Sequence, residues 1–280
     1  MPEIGEITAH AERIDTEWSG KTLERFRPIT FYVLKTFSPD PSTAHGETLR
    51  RVTTRGKYLQ LWFDSVVFII HLMQGGRLRP DEKQTAKPRG GQARWIFADG
   101  TALLLTEAGT DKRAGVWVMP VDADFDAEGP LDQLGPDVDG LDLDALREIL
   151  DQHSMRLHGL LRRQTIIAGI GRRLANDVCH EAMISPFAST SKLSEDQVRN
   201  LLHAIESCVS SSLEFERAQS EIVASAKRPS AVHNRTGQAC PRCSDTIREV
   251  AYNKYTVHYC PTCQTNGKVL ADNTTSKFLK

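Results

Sequence analysis

The sequence predicts an α+β protein with a strand-rich first part, a helical second part and a short tail that holds paired cysteines. Apolar and polar residues alternate, as they do in half-buried strands, over residues 58–63, 66–71, 93–97 and 102–105. The spacing then changes to the i, i+3, i+4 pattern of amphipathic helices over residues 143–152, 157–163, 171–182 and 194–217. A chain of 280 residues is long enough for two domains, each with its own core.

The strand-rich part is predicted to begin with a helix, from about Glu6 through residues 8–12. Turn sequences at residues 63–65 and 98–100 divide the strands into hairpins, which would pack as a sandwich or a barrel. Residues 79–91 form a long polar loop, and loops of that length are usually functional or disordered.

An Asp-, Gly- and Pro-rich segment, residues 121–142, is predicted to be an interdomain linker. Beyond it, Gly169-Ile170-Gly171 and Ser185-Pro186 interrupt the helical pattern. We therefore expect a helix, a tight turn and a second helix around these glycines. The tail from Arg228 returns to short strands.

The net charge of −1 hides a strong segregation of charge along the chain. Residues 122–151 hold eleven acids against Arg147 alone, whereas residues 156–173 hold five arginines and no acid. Residues 227–280 hold nine Lys or Arg against three acids. Two basic segments can build the positive surface that a phosphate backbone requires, although solvated charged faces are common.

The composition is that of a globular protein, with 40% hydrophobic and 25% charged residues. The sequence has no apolar run near the roughly 20 residues of a membrane helix. It also lacks the charged and apolar segments of a secretory signal at its start. We therefore expect a cytoplasmic protein with no membrane partner.

The chain opens Met1-Pro2-Glu3-Ile4-Gly5-Glu6, which places a proline in second position beside two carboxylates. Methionine is removable before a small residue, and its removal would leave the secondary amine of Pro2 as a nucleophile. An α-amino group titrates at about 7.7 to 8.0, so it can form a Schiff base near neutral pH. Glu3 and Glu6 would then be placed to move protons. The opposing interpretation is a disordered chain end.

Two pairs of cysteines, Cys240 with Cys243 and Cys260 with Cys263, enclose sixteen residues. This spacing is typical of a four-cysteine zinc ribbon, in which the thiolates form a closed tetrahedral site. Two disulfides or a redox pair are the competing interpretations, and a reducing compartment favours zinc. Cys179 and Cys208 lie on predicted helices, where an inert buried thiol is expected.

Motifs along the whole chain resemble, in the same order, those of the formamidopyrimidine-DNA glycosylase and endonuclease VIII family of repair enzymes. The matching segments are Pro2-Glu3 with Glu6, Arg55-Gly56-Lys57-Tyr58-Leu59, His71-Leu72 with Gly76-Arg77-Leu78, residues 164–171, and residues 235–240. Gly5 stands where the family usually has a proline.

This resemblance implies an N-terminal two-layered β-sandwich with flanking helices, then a helical helix-two-turn-helix domain that ends in a zinc-ribbon finger. The implied domains are a catalytic sandwich at 1–120, an acidic linker at 121–142, a helix-two-turn-helix domain at 143–226 and the finger at 227–280. It also implies one structural zinc ion, damaged double-stranded DNA as partner, and a monomer, nucleoid-associated if the protein is bacterial.

The activity implied is that of a bifunctional DNA glycosylase and AP lyase in base-excision repair. Pro2 would attack C1′ of a nucleotide flipped from the duplex, Glu3 would supply a proton, and β- or β,δ-elimination would nick the strand. Lys57 would hold a phosphate and Glu6 would position the catalytic end of the chain. Further implied DNA contacts are His71, Met73, Gln74, Lys112, Arg113, Gly169, Gly171, Arg172, Lys254 and Tyr255.

Two departures from the family pattern affect expected phosphate contacts. Arg172 replaces an asparagine after the glycines, where the start of a helix already favours anions. Tyr255 replaces an arginine in the finger, and Lys254 or Arg248 are the candidate substitutes.

Other departures affect how a lesion would be selected. Either Met73 or Gln74 would be the wedge that fills the gap left by the flipped base, and Ala114 replaces an aromatic residue in the second loop. Residues 217–230 lack the glycine-rich pattern of the loop that covers 8-oxoguanine. This favours oxidised pyrimidines, formamidopyrimidines or abasic sites. The alternatives are an AP lyase that acts mainly on abasic sites and a non-catalytic binder of damaged DNA.

Overall fold

The computed structural model describes residues 1–224, 227–252 and 255–270. The chain divides into two compact units, one formed by Met1–Leu134 with Leu213–Ser225 and the other by Gly135–Ser212 with Ala226–Lys280. The chain up to Leu134 holds α1 (Ile4–Trp18), β1 (Leu23–Pro28), β2 (Arg51–Arg55), β3 (Tyr58–Trp62), β4 (Val66–His71), β5 (Gly76–Pro80), β6 (Gly91–Phe97), β7 (Ala102–Glu107) and β8 (Gly115–Pro120). The rest holds α2 (Leu143–Gln152), α3 (Leu157–Leu161), α4 (Arg172–Glu181), α5 (Glu195–Arg217), β9 (Arg248–Tyr252), β10 (Tyr255–Tyr259) and α6 (Pro261–Thr265).

Two four-stranded antiparallel sheets form the first unit, with strand orders β1-β6-β7-β5 and β2-β3-β4-β8. Aromatic side chains from both sheets meet in the core. The ring of Phe68 in β4 lies 5.0 Å from that of Phe26 in β1 and 5.8 Å from that of Trp95 in β6, centroid to centroid. The expected two-layered sandwich is confirmed, and the alternative of a barrel is wrong.

Strand β4 is an uninterrupted apolar run because both of its faces are covered. Phe68 points into the core between the sheets, whereas Val67 packs on the opposite face with Leu131. Phe125 lies over Trp62 on that outer face, with ring centroids 5.5 Å apart. The acidic segment that was predicted to be a linker therefore starts as a cover for the sheet, because the apolar residues between its acids are buried against the strands.

Helix α1 begins at Ile4 and is longer than the predicted segment. Its apolar residues recur at helical spacing, and Ile7, Ile14 and Trp18 are buried in the core of the sandwich. Near its C-terminal end, Asp15 Oδ1 accepts a hydrogen bond of 2.6 Å from the backbone N–H of Val52 in β2. This bond fixes the helix to the edge of the second sheet.

The helices of the second unit lie where the periodicity predicts them. Helix α2 has the predicted bounds, and Asp142 caps it by accepting a hydrogen bond from the Ala145 N–H (2.8 Å). Helices α3 and α4 flank the glycine-containing turn, and β9 and β10 form a hairpin in the tail. Within the described ranges, none of the helices has both the length and the apolar character that crossing a membrane requires.

Candidate active site and zinc centre

The amino-terminal residues are built into the first turn of α1. Pro2 is buried, and Glu3 and Glu6 are 3% and 0% exposed. Glu6 Oε2 accepts a hydrogen bond of 2.7 Å from the Glu3 N–H, and the Glu3 carboxylate caps the backbone N–H of Glu6 in return. This capping box holds both carboxylates beside Pro2. The interpretation of a disordered chain end is therefore wrong.

Lys57 lies in the two-residue turn between β2 and β3, where Gly56 adopts φ +57°. Its side chain is 3% exposed, which is unusual for a lysine on a hairpin turn. The strand register places Tyr58, the next residue, opposite His71 at the end of β4, and the two rings are 4.6 Å apart. Lys57 and His71 thus lie at the same end of the second sheet.

His71 is uncharged at neutral pH. Burial, the charge of Lys57 and the charge of the amino terminus lower the pKa of His71 to about 4. Both charges therefore lie close enough to His71 to act on its pKa. His71 Nδ1 accepts a hydrogen bond of 3.1 Å from the Met73 N–H, so the proton resides on Nε2. His71 can therefore donate a hydrogen bond there but does not act as a cation.

The two candidate wedge residues lie in the tight loop between β4 and β5. A Cβ atom on Gly76 would lie 2.2 Å from the Leu72 carbonyl oxygen, so this position requires glycine. Met73 adopts φ +52° and is half-buried, whereas Gln74 is exposed. Of the two side chains, Gln74 is the more accessible.

A buried carboxylate that the sequence did not single out organises the second loop. Glu107 Oε2 accepts hydrogen bonds of 2.7 Å from the N–H groups of Arg113 and Ala114. Arg113 is exposed and pairs with Asp111 at 2.7 Å, and Lys112 lines a cleft of about 540 Å³. Ala114 is completely buried, so its side chain is not a surface wedge.

In the second unit, a side-chain amide braces the turn between α3 and α4. Gln164 accepts a hydrogen bond from the Gly169 N–H (3.1 Å) and donates one to the Ile170 carbonyl (2.7 Å). Gly169 adopts φ +104°, and Gly171 is the N-cap of α4. Arg172, the first residue of the helix, is exposed. The backbone N–H groups of α4 start at this point, which suits an anion.

The four cysteines of the tail come together as predicted. Their sulfur atoms all lie within 4.8 Å of one another, with Cys240 and Cys263 at 3.9 Å and Cys243 and Cys260 at 3.4 Å. A tetrahedral zinc site with Zn–S bonds of about 2.3 Å has sulfur separations of about 3.8 Å. The donor set and the spacing therefore fit one structural zinc ion.

The finger is attached to the C-terminal end of α4. His180 Nε2 lies 3.2 Å from Cys240 Sγ, a hydrogen-bond distance to a metal ligand. Arg242 donates to the His180 carbonyl (2.7 Å) and pairs with Glu181 (2.8 Å). Gln264 donates to the Ile184 carbonyl (3.0 Å). A cation at the last turn also suits the helix dipole.

Tyr255 is not a simple surface donor. The Cζ atom of Arg162 lies over its ring, 3.7 Å from the ring centroid. The ring is also stacked with that of His158, with the two centroids 6.2 Å apart. The other proposed finger contact, Lys254, lies outside the described residues. Sequence reasoning missed Arg162, although the acid-free run of arginines that contains it was the available signal.

The remaining cysteines are unreactive, as expected. Cys179 is completely buried and burial raises its pKa far above the ordinary value. Burial and the nearby Asp177 raise the pKa of Cys208 to about 12. Both thiols are therefore protonated at neutral pH.

Known proteins with similar sequences identify the family. Residues 1–113 match the formamidopyrimidine-DNA glycosylase N-terminal domain, and residues 237–266 match the zinc finger found in FPG and IleRS. An uncharacterized formamidopyrimidine-DNA glycosylase-like protein of Mycobacterium tuberculosis is 40% identical over 149 residues, which are 52% of this chain and 94% of that protein. The formamidopyrimidine-DNA glycosylase of Chloroflexus aurantiacus is 27% identical over 274 residues, which cover 94% of this chain and 98% of the relative.

Solved structures show the same fold. The Lactococcus lactis Fpg in complex with abasic-site-containing DNA matches with a TM-score of 0.82 and 20% identity, over 94% of this chain and 99% of that one. The sequence matches assign the chain to the class of DNA glycosylases with a zinc finger, in agreement with the fold. The chain belongs to the formamidopyrimidine-DNA glycosylase family.

Proposed function

We propose that the protein is a bifunctional DNA glycosylase and AP lyase that acts on damaged double-stranded DNA through the amine of Pro2. The observation that carries this proposal is the buried capping box of Glu3 and Glu6 around Pro2. A structural helix start does not need two buried carboxylates and a buried lysine near an amino terminus. Lys57 and neutral His71 complete the same site.

The reaction begins after Met1, which is exposed, has been removed. The Pro2 nitrogen bonds to C1′ of the damaged nucleotide while the glycosidic bond breaks, and Glu3 supplies the proton that helps the sugar open or the base leave. The resulting iminium acidifies C2′. Loss of the C2′ proton expels the 3′ phosphate. A second elimination from the same iminium would expel the 5′ phosphate, and water then releases the amine.

The other residues of the site position the substrate. Glu6 holds the backbone of Glu3, so the acid stays at a fixed distance from the amine. Lys57 supplies a fixed positive charge for a phosphate, and Nε2–H of His71 supplies a neutral donor. The exposed Arg172 and the start of α4 are proposed to bind the backbone as well.

Support for DNA as the partner comes from the family and from charge. Several solved neighbours are Lactococcus lactis Fpg proteins bound to DNA with an abasic site or a Fapy-dG. In this chain, residues 156–173 supply five arginines without an acid. We propose that the protein acts as a cytoplasmic monomer, and that the missing glycines in residues 217–230 favour oxidised pyrimidines, formamidopyrimidines or abasic sites over 8-oxoguanine.

Borohydride trapping tests the proposal. Duplexes with an abasic site, 5-hydroxycytosine or 8-oxoguanine are incubated with the protein, and borohydride reduces any Schiff base to a stable adduct. We expect an adduct whose mass maps to the Pro2 peptide. The Pro2 adduct should be lost in protein that retains Met1, because the Pro2 nitrogen is then an amide and not an amine.

Lys57→Ala serves as the matched control, since it removes the other amine of the site. It should weaken binding but still give an adduct at saturating DNA. An adduct with the abasic duplex alone would favour the AP lyase alternative. Binding without any adduct would favour the non-catalytic alternative, and an adduct that depends on Lys57 and not on Pro2 would reassign the nucleophile.

A further inference from the structure

Two side chains of one helical turn pack on the ring of Tyr255. His158 and Arg162 are four residues apart at α3 and therefore face the same way. The guanidinium of Arg162 lies 3.7 Å from the centroid of the tyrosine ring, and His158 stacks with the ring at an interplanar angle of 17°. The contact joins the turn after α3 to the first residue of β10 in the finger.

The positive charge of Arg162 has no counter-ion in the part of the chain that the structure describes. None of the ion pairs found among the described residues involves Arg162, and its Nε is buried without a hydrogen-bond partner. A partly buried guanidinium without an anion is costly, because it loses water without gaining a charge partner. The contact with the Tyr255 ring offsets part of this cost, and an anion from outside would offset more of it.

The surroundings of Arg162 are also depleted in negative charge. Burial, then Arg162, and to a smaller extent Arg172, lower the pKa of His158 to about 3. Both arginines thus lie near one uncharged imidazole. Residues 156–173 contain no acid that would neutralise them. A bound anion would meet two permanent positive charges at this place.

We propose that Arg162, held over the ring of Tyr255, binds a backbone phosphodiester of the duplex and supplies the cation that the finger lacks at position 255. A guanidinium matches two phosphate oxygens with its planar fork, and stacking restricts its rotation before the ligand arrives. Tyr255 acts as a platform for the arginine and not as the main phosphate donor. The inference rests on the proposed function only in naming DNA as the source of the phosphate.

The test compares binding of a duplex with a tetrahydrofuran abasic analogue, measured by fluorescence anisotropy at several salt concentrations. Arg162→Gln should raise Kd about 10-fold or more at low salt. It should also lower the slope of log K against log salt by about 1, because one phosphate contact is lost. Arg163→Gln is the matched control, with the same loss of charge at the exposed neighbouring residue.

Variants at Tyr255 distinguish a role of its ring, which supports Arg162, from a role of its hydroxyl as a hydrogen-bond donor to phosphate. Tyr255→Phe should bind like the parent protein, whereas Tyr255→Leu should weaken binding and add little to Arg162→Gln in the double variant. Zinc content and the thermal melting midpoint establish that each variant is folded. Equal losses in Arg162→Gln and Arg163→Gln would overturn the proposal, as would a loss in Tyr255→Phe as large as in Tyr255→Leu.

Borohydride trapping keeps this test separate from that of the proposed function. At saturating abasic duplex, Arg162→Gln should still form the Pro2 adduct. Suppose that the salt slopes of the parent protein and Arg162→Gln differ as expected, but the parent protein forms no adduct. The catalytic proposal then fails and the Arg162 site stands. If the adduct forms while Arg162→Gln binds as well as the parent, the Arg162 site fails alone. Inorganic phosphate at millimolar concentration is added as a competitor. If it displaces the duplex, and Arg162→Gln has the same salt slope as the parent protein, the site binds free anions and the phosphodiester proposal is overturned.

Discussion

Replacing Glu6 by alanine should loosen the start of α1 and displace the amino-terminal residues Pro2 and Glu3. The change removes the acceptor of the Glu3 N–H, a bond of 2.7 Å at a side chain with 0% exposure. Loss of a helix cap costs about 0.5 to 2 kcal/mol, and a buried donor left without a partner costs about 1 to 3 kcal/mol. The two estimates describe overlapping effects, so we expect a loss of about 2 kcal/mol.

Glu6→Gln is the matched control, because it keeps the volume and one acceptor oxygen. It should lose less than about 1 kcal/mol. All four tryptophans lie in the first unit, so their fluorescence during thermal unfolding reports on that unit alone. Glu6→Ala should lower its melting midpoint by about 4 to 8 °C and slow borohydride trapping. An unchanged midpoint in Glu6→Ala, or equal losses in both variants, would refute the reasoning.

Three further outcomes are expected. Cys260→Ser should abolish stoichiometric zinc binding, measured by mass spectrometry of the metal, and increase hydrogen exchange in α4; unchanged protection of α4 would contradict its attachment to the finger. Burial and Arg13 lower the pKa of His10 from its usual 6.5 to about 4, so the unfolded chain binds this proton first as the pH falls. The free energy of unfolding should therefore fall between pH 6.5 and pH 4, by up to about 1.4 kcal/mol per pH unit. In a plot of the urea midpoint against pH, His10→Gln should have a smaller slope over this range. Cys179 should resist iodoacetamide at pH 7.5 in native protein and react only after unfolding, since its thiol is buried and protonated.

The sequence predicts the elements whose signals are local. The helices α2 and α5 follow from apolar spacing, and the zinc centre follows from cysteine spacing. The start of α1 was placed too late because Glu3 and Glu6 fix it through side-chain hydrogen bonds that periodicity does not register. The packing of the acidic segment on the sheet is not predicted, because the buried residues among its acids, such as Leu131, are too sparse to form a pattern.

In the candidate site, too, the residues that belong to local motifs are predictable and those that act through contacts made on folding are not. Pro2, Glu3, Glu6 and Lys57 were found because they occur in short motifs, and their roles in catalysis stay predictions. Glu107 and Arg162 were missed because each acts through a contact that folding creates. Arg162 and Tyr255 are 93 positions apart in the sequence, and no spacing rule relates them.

The ten residues of α4 span about 15 Å in the second unit. Its first turn starts at the anion site proposed above, and its last turn contacts Cys240 and Arg242 of the finger. If zinc binding orders this helix, it raises the affinity for an anion at the other end by some factor. Thermodynamic reciprocity then requires that the anion raise the affinity for zinc by the same factor. The affinity for zinc should consequently be higher when DNA is bound, and scarcity of zinc would weaken DNA binding without any change at Pro2.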